Sequence, residues 1–214
     1  MVVIKQMSEK KRDAASLKLL GGRLCLDFIN TLDWRGTANP QEFLNTYQDV
    51  VNWSRYVGIA TRKESQQLSR MAEQATTDPE KVLSKAKKLR EITYRLFSAT
   101  IFNKTPLKKD LLVFNKYLSR SMRDSQIVRT KDGYAWDNAG NKTQLDWILN
   151  PIIRSAADVL LSDDLKRIKA CADPACGWLF IDVSRNQSRR WCDMKDCGNR
   201  AKATRFYQKK QLQE

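Results

Sequence analysis

The sequence predicts a mainly α-helical protein: a multi-helix domain with a small β-hairpin, followed by a small module made of a hairpin and a helix. Apolar residues recur at helical spacing through much of residues 1–162, with helix-start signals between them. Four cysteines then cluster in residues 165–214, a stretch close to the size below which domains rarely fold without a metal or disulfides. We therefore expect two domains, residues 1–162 and residues 165–214.

Start signals place the helices of the first domain. Asn39-Pro40 predicts a helix to about Val57, the capping box Thr61-x-x-Glu64 a helix to about Gln74, Asp78-Pro79 the longest helix, Thr105-Pro106 a helix to about Met122, and Thr143–Leu161 a helix that Pro151 divides. Before them, the polar residues 1–17 are expected to form a loose tail, and Leu17–Leu20 a short strand. One segment changes character: apolar runs on both sides of Lys131-Asp-Gly133 predict a β-hairpin.

The cysteines of the second domain have metal-ligand spacing. Cys171 and Cys176 are separated by four residues, as are Cys192 and Cys197, and fifteen residues lie between the pairs. Four thiolates at the corners of a tetrahedron satisfy Zn²⁺ completely and leave no open position, so the zinc would be structural. Two disulfides or free buried thiols are the alternatives. The chain contains no histidine, which leaves an all-cysteine site as its one rich metal site.

The segments around these cysteines predict the shape of the module. Trp178–Val183 is aromatic and β-branched, Ser184–Gln187 is a polar turn, and Ser188–Cys192 is expected to return as a second strand. A basic helix follows Cys197. A turn with two ligands, a hairpin and a helix that begins on the last ligand make a treble-clef-like zinc finger with four cysteine ligands.

The charge of the chain favours a polyanionic partner. Lys and Arg number 39 against 24 for Asp and Glu, so the formal net charge is +15. Nucleic acid is the first expectation and an anionic membrane surface the second; an ordinary lysine-rich surface is the third interpretation. The expected nucleic-acid contacts are Arg185, Arg189, Arg190, Lys202, Arg205 and Lys209. Some arginines would instead brace the finger internally, and Arg200 and Arg190 are the first candidates for that role. We interpret a second basic stretch, residues 81–131, as solvated helix faces; an extension of the DNA-binding surface is the alternative.

A polar group in the first domain is a candidate ligand pocket. Asp27, Asn30, Thr31 and Arg35 lie on an otherwise apolar segment, where unpaired polar side chains would cost free energy. They would line an enclosed ligand cavity or, alternatively, cap neighbouring helix ends. Cys25 of the same segment is expected to be a buried small hydrophobe.

Two motifs carry a resemblance to a known family. Cys171-x4-Cys176-Gly-Trp-Leu-Phe, Ser184-Arg-Asn, Arg189-Arg-Trp-Cys192 and Cys197-Gly-Asn-Arg200 resemble the CGNR zinc finger of bacterial proteins. Gly21-Gly22-Arg-Leu-Cys-Leu-Asp27-Phe-Ile-Asn30-Thr31 resembles the start of the ABATE domain, which precedes that finger in proteins described as stress-induced transcription regulators. The resemblance implies one structural zinc per chain and DNA binding.

Together these observations predict a cytoplasmic bacterial transcription regulator whose finger holds DNA and whose helical domain senses an effector. We expect DNA, a small-molecule effector and a second copy of the chain as partners, and no membrane, since no apolar run approaches the roughly 18 residues that cross a bilayer. An RNA-binding or protein-docking zinc ribbon is the main alternative. No nucleophile elbow, phosphate loop or carboxylate pair nominates an enzyme.

Overall fold

The computed structural model describes residues 13–74, 78–123, 125–137 and 142–211. Its helices are α1 (Leu24–Ile29), α2 (Tyr47–Tyr56), α3 (Arg62–Glu73), α4 (Pro79–Ile101), α5 (Lys108–Arg123), α6 (Asn150–Leu161) and α7 (Asn199–Gln211). Its strands are β1 (Leu32–Asp33), β2 (Gln41–Glu42), β3 (Gln126–Thr130), β4 (Gly133–Asp137), β5 (Ile168–Ala170) and β6 (Leu179–Ile181). Consecutive strands pair as three short antiparallel two-stranded sheets. The helices therefore dominate the described part of the chain, which confirms the mainly α fold class.

Local capping explains where two of the helices begin. The Thr61 hydroxyl accepts a hydrogen bond from Glu64 N, and the Glu64 side chain reaches back to Thr61 N, so the predicted capping box opens α3. The Asp78 carboxylate accepts from the first two free amides of α4, and Pro79 occupies the first turn as predicted. The hairpin prediction is also confirmed, with β3 and β4 turning at Gly133.

The prediction of a helix start at Asn39-Pro40 was wrong. Pro40 instead leads into β2, which pairs with β1, and Phe43 N donates to Thr31 O at 3.1 Å to close the loop. The helix begins only after Thr46, whose hydroxyl and backbone form a capping box with Asp49. A capping box fixes a helix start more strongly than an Asn-Pro pair, because it satisfies two amide donors at once.

Two further boundaries differ from the expectations. Pro151 lies in the first turn of α6, where it breaks no hydrogen bond, so it does not divide a longer helix. The segment Leu17–Leu20 forms no strand. Of the expected tail, residues 1–12 lie outside the described ranges, and the end of it folds as a short 3-10 turn that buries Ala14 and Leu17.

The hairpin of the finger pairs different segments from those expected. β6 confirms the strand expected around Leu179–Ile181, but its partner is β5, which precedes the first cysteine. The segment Ser188–Cys192 does not form a strand paired with β6, because its backbone hydrogen bonds go to residues outside β6. Ala172 N donates to Arg190 O at 2.8 Å, and Arg189 N donates to the Asp182 carboxylate at 2.9 Å.

One continuous hydrophobic core joins the helices to the finger. Trp53, Phe97 and Phe28 are fully buried in its helical part, and Leu179 and Phe180 of β6 extend it into the finger. α1 contacts β6 and α4 contacts β5, so the sheet of the finger covers one side of the helical domain. No helix in the described part of the chain is long and apolar enough to span a bilayer.

Candidate metal centre and the surfaces around it

Four cysteine thiols meet at the base of α7. The Sγ atoms of Cys171, Cys176, Cys192 and Cys197 all lie within 4.8 Å of one another, and all four residues are buried. Cys192 Sγ is 3.6 Å from both Cys176 Sγ and Cys197 Sγ. Zn–S bonds of about 2.3 Å imply S···S separations of about 3.8 Å in a tetrahedron. These separations fit zinc and exceed the roughly 2.05 Å of a disulfide bond, so the four thiols form the site of one structural Zn²⁺.

The chain supplies donors and carboxylates that hold the thiols in place. Cys192 N donates to Cys171 Sγ at 3.4 Å, and Arg200 Nη2 donates to Cys197 Sγ at 3.0 Å. The same guanidinium pairs at 2.8 Å with the Asp173 carboxylate. The other oxygen of this carboxylate accepts a hydrogen bond from Ala175 N in the turn between Cys171 and Cys176, which we call the first knuckle. Such outer contacts orient metal ligands and reduce the thiolate charge. Arg200 therefore has the bracing position expected for it.

Asp182 organises the turn between β6 and the second cysteine pair. Its carboxylate is completely buried and accepts hydrogen bonds from Ser184 N, Ser184 Oγ and Arg189 N. Burial opposes its ionisation, but the ammonium of Lys169 at 2.7 Å and these hydrogen bonds hold the pKa of Asp182 below its usual range. Asp182 was not among the residues singled out from the sequence; its position directly after an apolar strand and two residues before a Ser was the available signal.

Cys25 behaves differently from the four ligands. It is completely buried in the helical core, and burial raises the pKa of its thiol to about 12. It therefore remains a protonated, apolar side chain, as expected.

The basic residues expected at nucleic acid fall into two groups. Arg185 and Arg190 are exposed on the turn region, and Lys202, Arg205 and Lys209 are exposed on α7. Arg189, in contrast, turns inward: its guanidinium lies 4.3 Å from the centroid of the Phe180 ring and donates to Trp191 O at 3.0 Å and to Cys192 O. Arg189 thus joins the turn to β6 and to the second cysteine pair.

Asn30 of the expected ligand pocket lies at the junction of the two domains. Its side chain is buried, donates to Leu179 O at 3.0 Å and accepts from Leu179 N at 3.0 Å. It therefore bonds the edge of β6 as a neighbouring strand would. Ile181 N adds a bond to Gly21 O at 2.9 Å.

Arg35 and Thr31 extend this junction. The Arg35 guanidinium pairs with Glu91 at 2.8 Å and stacks 4.2 Å from the centroid of the Tyr94 ring, while Arg35 N donates to Cys176 O at 3.2 Å. Thr31 Oγ1 donates to Phe28 O at 2.7 Å and accepts from Arg90. The structure therefore places Arg35 against the turn between Cys171 and Cys176, and both Arg35 and Thr31 have partners within the protein.

Asp27 holds the turn that contacts β6. Its carboxylate accepts from Gly21 N at 2.8 Å, and burial raises its pKa to about 6. No ion pair compensates it among the residues that the structure describes.

Asp27→Asn is expected to stabilise the protein near pH 7 by on the order of 1–3 kcal/mol. A raised folded-state pKa contributes stability that is fully present below the unfolded pKa of 3.8 and is lost as the pH rises through about 6. The amide cannot ionise, so the advantage of the variant should vanish near pH 4. Urea unfolding of both proteins at each pH checks this; comparing them at the same pH removes the effect of acid on the zinc thiolates. A pH-independent difference would contradict it.

Two family models match this chain. The ABATE model, described as "Putative stress-induced transcription regulator", matches residues 22–163, more than half of the 214 residues. The model described as "CGNR zinc finger" matches residues 167–210, which include the four thiols. No curated protein matches the chain significantly. The chain therefore belongs to the ABATE family and carries a CGNR zinc finger.

Proposed function

We propose that this protein is a cytoplasmic DNA-binding transcription regulator, and not an enzyme, in which the zinc finger holds DNA and the helical domain senses a small-molecule effector. The observation that supports DNA binding best is the surface of α7. This 13-residue helix has five Lys or Arg residues, no Asp or Glu, and no buried residue. Isolated helices of this length are marginal in water. A polyanion would both complement its charge and give it a packing partner.

The basic residues of α7 share one face. At 100° per residue, Lys202, Arg205, Lys209 and Lys210 fall within an arc of roughly 140°, with Phe206 among them. All five are exposed. A major groove about 12 Å wide admits an α-helix, so this face can approach phosphates on both walls of the groove. Arg185 and Arg190 would add contacts from the turn region.

The zinc site sets the direction of this helix. A π-helical turn, Met194–Gly198, contains the last ligand and leads directly into α7. Arg200 in its first turn is held by Asp173, by Cys197 Sγ and by the ring of Trp34 at 4.7 Å. Zinc therefore acts on DNA only indirectly, by positioning the basic face. In a homodimer two such helices would contact two half-sites.

Lys202→Ala and Lys209→Ala are each expected to weaken duplex DNA binding uniformly across sequences. Each phosphate contact contributes roughly −0.9 to the slope of log K against log salt, because counterions are released. Either change should reduce the steepness of that slope by about one unit. Fluorescence anisotropy with a labelled duplex at a series of salt concentrations measures it.

Lys63→Ala is the matched control, because Lys63 is an exposed lysine on α3, which packs mainly against α2 and not against the finger. It should leave the slope unchanged. Circular dichroism and zinc content establish that each variant is folded. Salt-independent affinity, or unchanged binding after removal of Lys202, Arg205 and Lys209 together, would refute duplex binding through this face.

An RNA-binding or protein-docking finger is the second candidate. Phe206 and Tyr207 are 67% and 65% exposed, and exposed aromatic rings among basic residues suit stacking on single-stranded bases. Repeating the salt titration with single-stranded RNA separates RNA binding from duplex DNA binding. Tighter binding to RNA than to duplex, with strong dependence on Phe206, would favour this candidate; no binding to either would leave protein docking.

A further inference from the structure

A cleft of about 580 Å³ opens in the helical domain, away from the zinc site. It lies between β4, the turn that joins α2 to α3, and one side of α6. Its wall includes two tryptophans, a buried arginine and an ion-paired lysine: Trp136, Trp147, Arg154 and Lys142. Clefts of this volume hold drug-sized ligands in proteins.

Arg154 is a buried cation that forms no ion pair with a carboxylate among the residues that the structure describes. It is 7% exposed; its guanidinium donates to Ser125 Oγ and lies 5.1 Å from the centroid of the Trp136 ring. Among the described residues, Asp158 lines the same cleft one turn along α6 but forms no ion pair with it. Burial lowers the pKa of Arg154, and the nearby charge of Asp158 opposes this shift without cancelling it. The comparably buried Arg90, by contrast, pairs with Glu42 at 2.6 Å.

The other cations of the cleft are already neutralised. Lys142 pairs with Glu64 at 2.6 Å and lies 3.7 Å from Asp137, and Arg23 pairs with Asp164. In the part of the chain that the structure describes, Arg154 is therefore the one cation of this wall that lacks an acidic partner. The acids in the wall would repel a dianion such as a phosphate monoester. A single negative charge suits the site best.

The remaining wall is apolar and aromatic. Trp136 is 49% exposed although it lies beside the cleft, and Leu24, Ile59 and Trp147 add apolar surface. A planar ring placed against Trp136 would bury surface that water now covers, while Trp147, only 4% exposed, supports the wall from behind.

We infer that this cleft binds a small aromatic carboxylate, with its carboxylate on Arg154 and its ring against Trp136. The inference deepens the proposed function: it names the chemical class of the effector and moves the sensing site from the junction to this cleft. Leu24 in the first turn of α1 lines the cleft, and Asn30, which ends α1, is bonded to the finger. A ligand in the cleft would therefore contact an element that also contacts the finger.

Calorimetric titration of the zinc-loaded full chain with benzoate and indole-3-acetate tests the inference. Both should bind, and the neutral analogues benzamide and indole-3-acetamide should bind far more weakly, as should the dianion phenyl phosphate. Arg154→Met should weaken carboxylate binding by on the order of tenfold or more, because a charged hydrogen-bonded pair is lost. Arg154→Lys should retain part of the affinity, and Trp136→Ala should reduce it.

Arg129→Met is the matched control, since Arg129 lies exposed on β3, in the same hairpin as Trp136, and does not line the cleft. Folding of Arg154→Met is checked without ligand: removal of a buried charge that lacks a carboxylate should leave the unfolding temperature unchanged or higher, whereas Arg90→Met should lower it. Equal binding of amides and carboxylates, full carboxylate affinity in Arg154→Met, or no binding by any carboxylate up to its solubility limit would overturn the inference. Binding of the wild-type protein to duplex DNA is measured separately. If duplex binding is present while carboxylate binding is absent, the ligand inference fails and the DNA-binding proposal stands.

Discussion

Replacement of Cys171, Cys176, Cys192 or Cys197 by Ser is expected to abolish stoichiometric zinc binding and unfold the finger. A hydroxyl is a poor zinc ligand at neutral pH, and apparent zinc-binding free energies in small fingers are about 10–16 kcal/mol. The finger's own secondary structure adds little, because its sheet has only two three-residue strands and α7 buries nothing; apart from zinc, β6 is held by its burial against the helices. Elemental analysis of the purified protein and hydrogen exchange across residues 168–211 measure the two effects.

Helices α1 to α6 precede the first ligand on the chain, so most of the far-UV helical signal should survive even if α7 is lost. The unfolding temperature should nevertheless fall, because β6 no longer covers α1. Cys25→Ala is the control: it removes a buried thiol outside the metal site and should retain zinc. Freshly prepared wild-type protein without one zinc per chain would contradict the assignment.

Asn30→Leu is expected to separate β6 from the helical domain. The variant keeps the volume of the side chain but leaves Leu179 N–H and C=O without partners, at a cost of about 1–3 kcal/mol for each group. Gly36→Ala tests the same junction from the other side, because its Cβ would lie 1.7 Å from Pro174 O in the first knuckle. Both variants should lower the unfolding temperature and increase hydrogen exchange at Leu179 and Ile181.

Gly58→Ala controls for backbone effects. Its Cβ would meet nothing within 4 Å, but its φ of +79° is unfavourable for alanine and should cost about 1–2 kcal/mol. It should therefore destabilise the protein without changing exchange at Leu179. Unaltered exchange in Asn30→Leu and Gly36→Ala would mean that the finger is held by other contacts. If Asn30→Leu and Gly36→Ala instead changed only carboxylate binding, Asn30 would belong to a ligand site, which is the ligand-pocket expectation of the sequence analysis.

Sequence predicted the metal site well because its information is local. Two cysteines with four residues between them bring two ligands into one turn whatever the rest of the fold does. The capping signals at Thr61 and Asp78 succeeded for the same reason, since each acts within one helical turn. Such features depend on neighbouring residues only.

The misassigned features depend on residues distant in the chain. β5 has three residues and no pattern of its own, and it becomes a strand only because β6 lies beside it. Arg189 looks like a free cation until the Phe180 ring and the Cys192 carbonyl are placed next to it. Asn30 bonds a residue 149 positions away. No local rule can supply these contacts.

The shared core has a consequence for synthesis of the protein. A ribosome completes α1 and α4 well before it completes β6, so the groove that receives Leu179 and Phe180 stays open while the rest of the chain is made. Closing it requires both the last residues of the finger and a zinc ion. In zinc-starved cells the newly made protein would retain an apolar groove, which is what chaperones and proteases recognise. Cellular abundance of the protein would then follow zinc supply, without any change in its transcription.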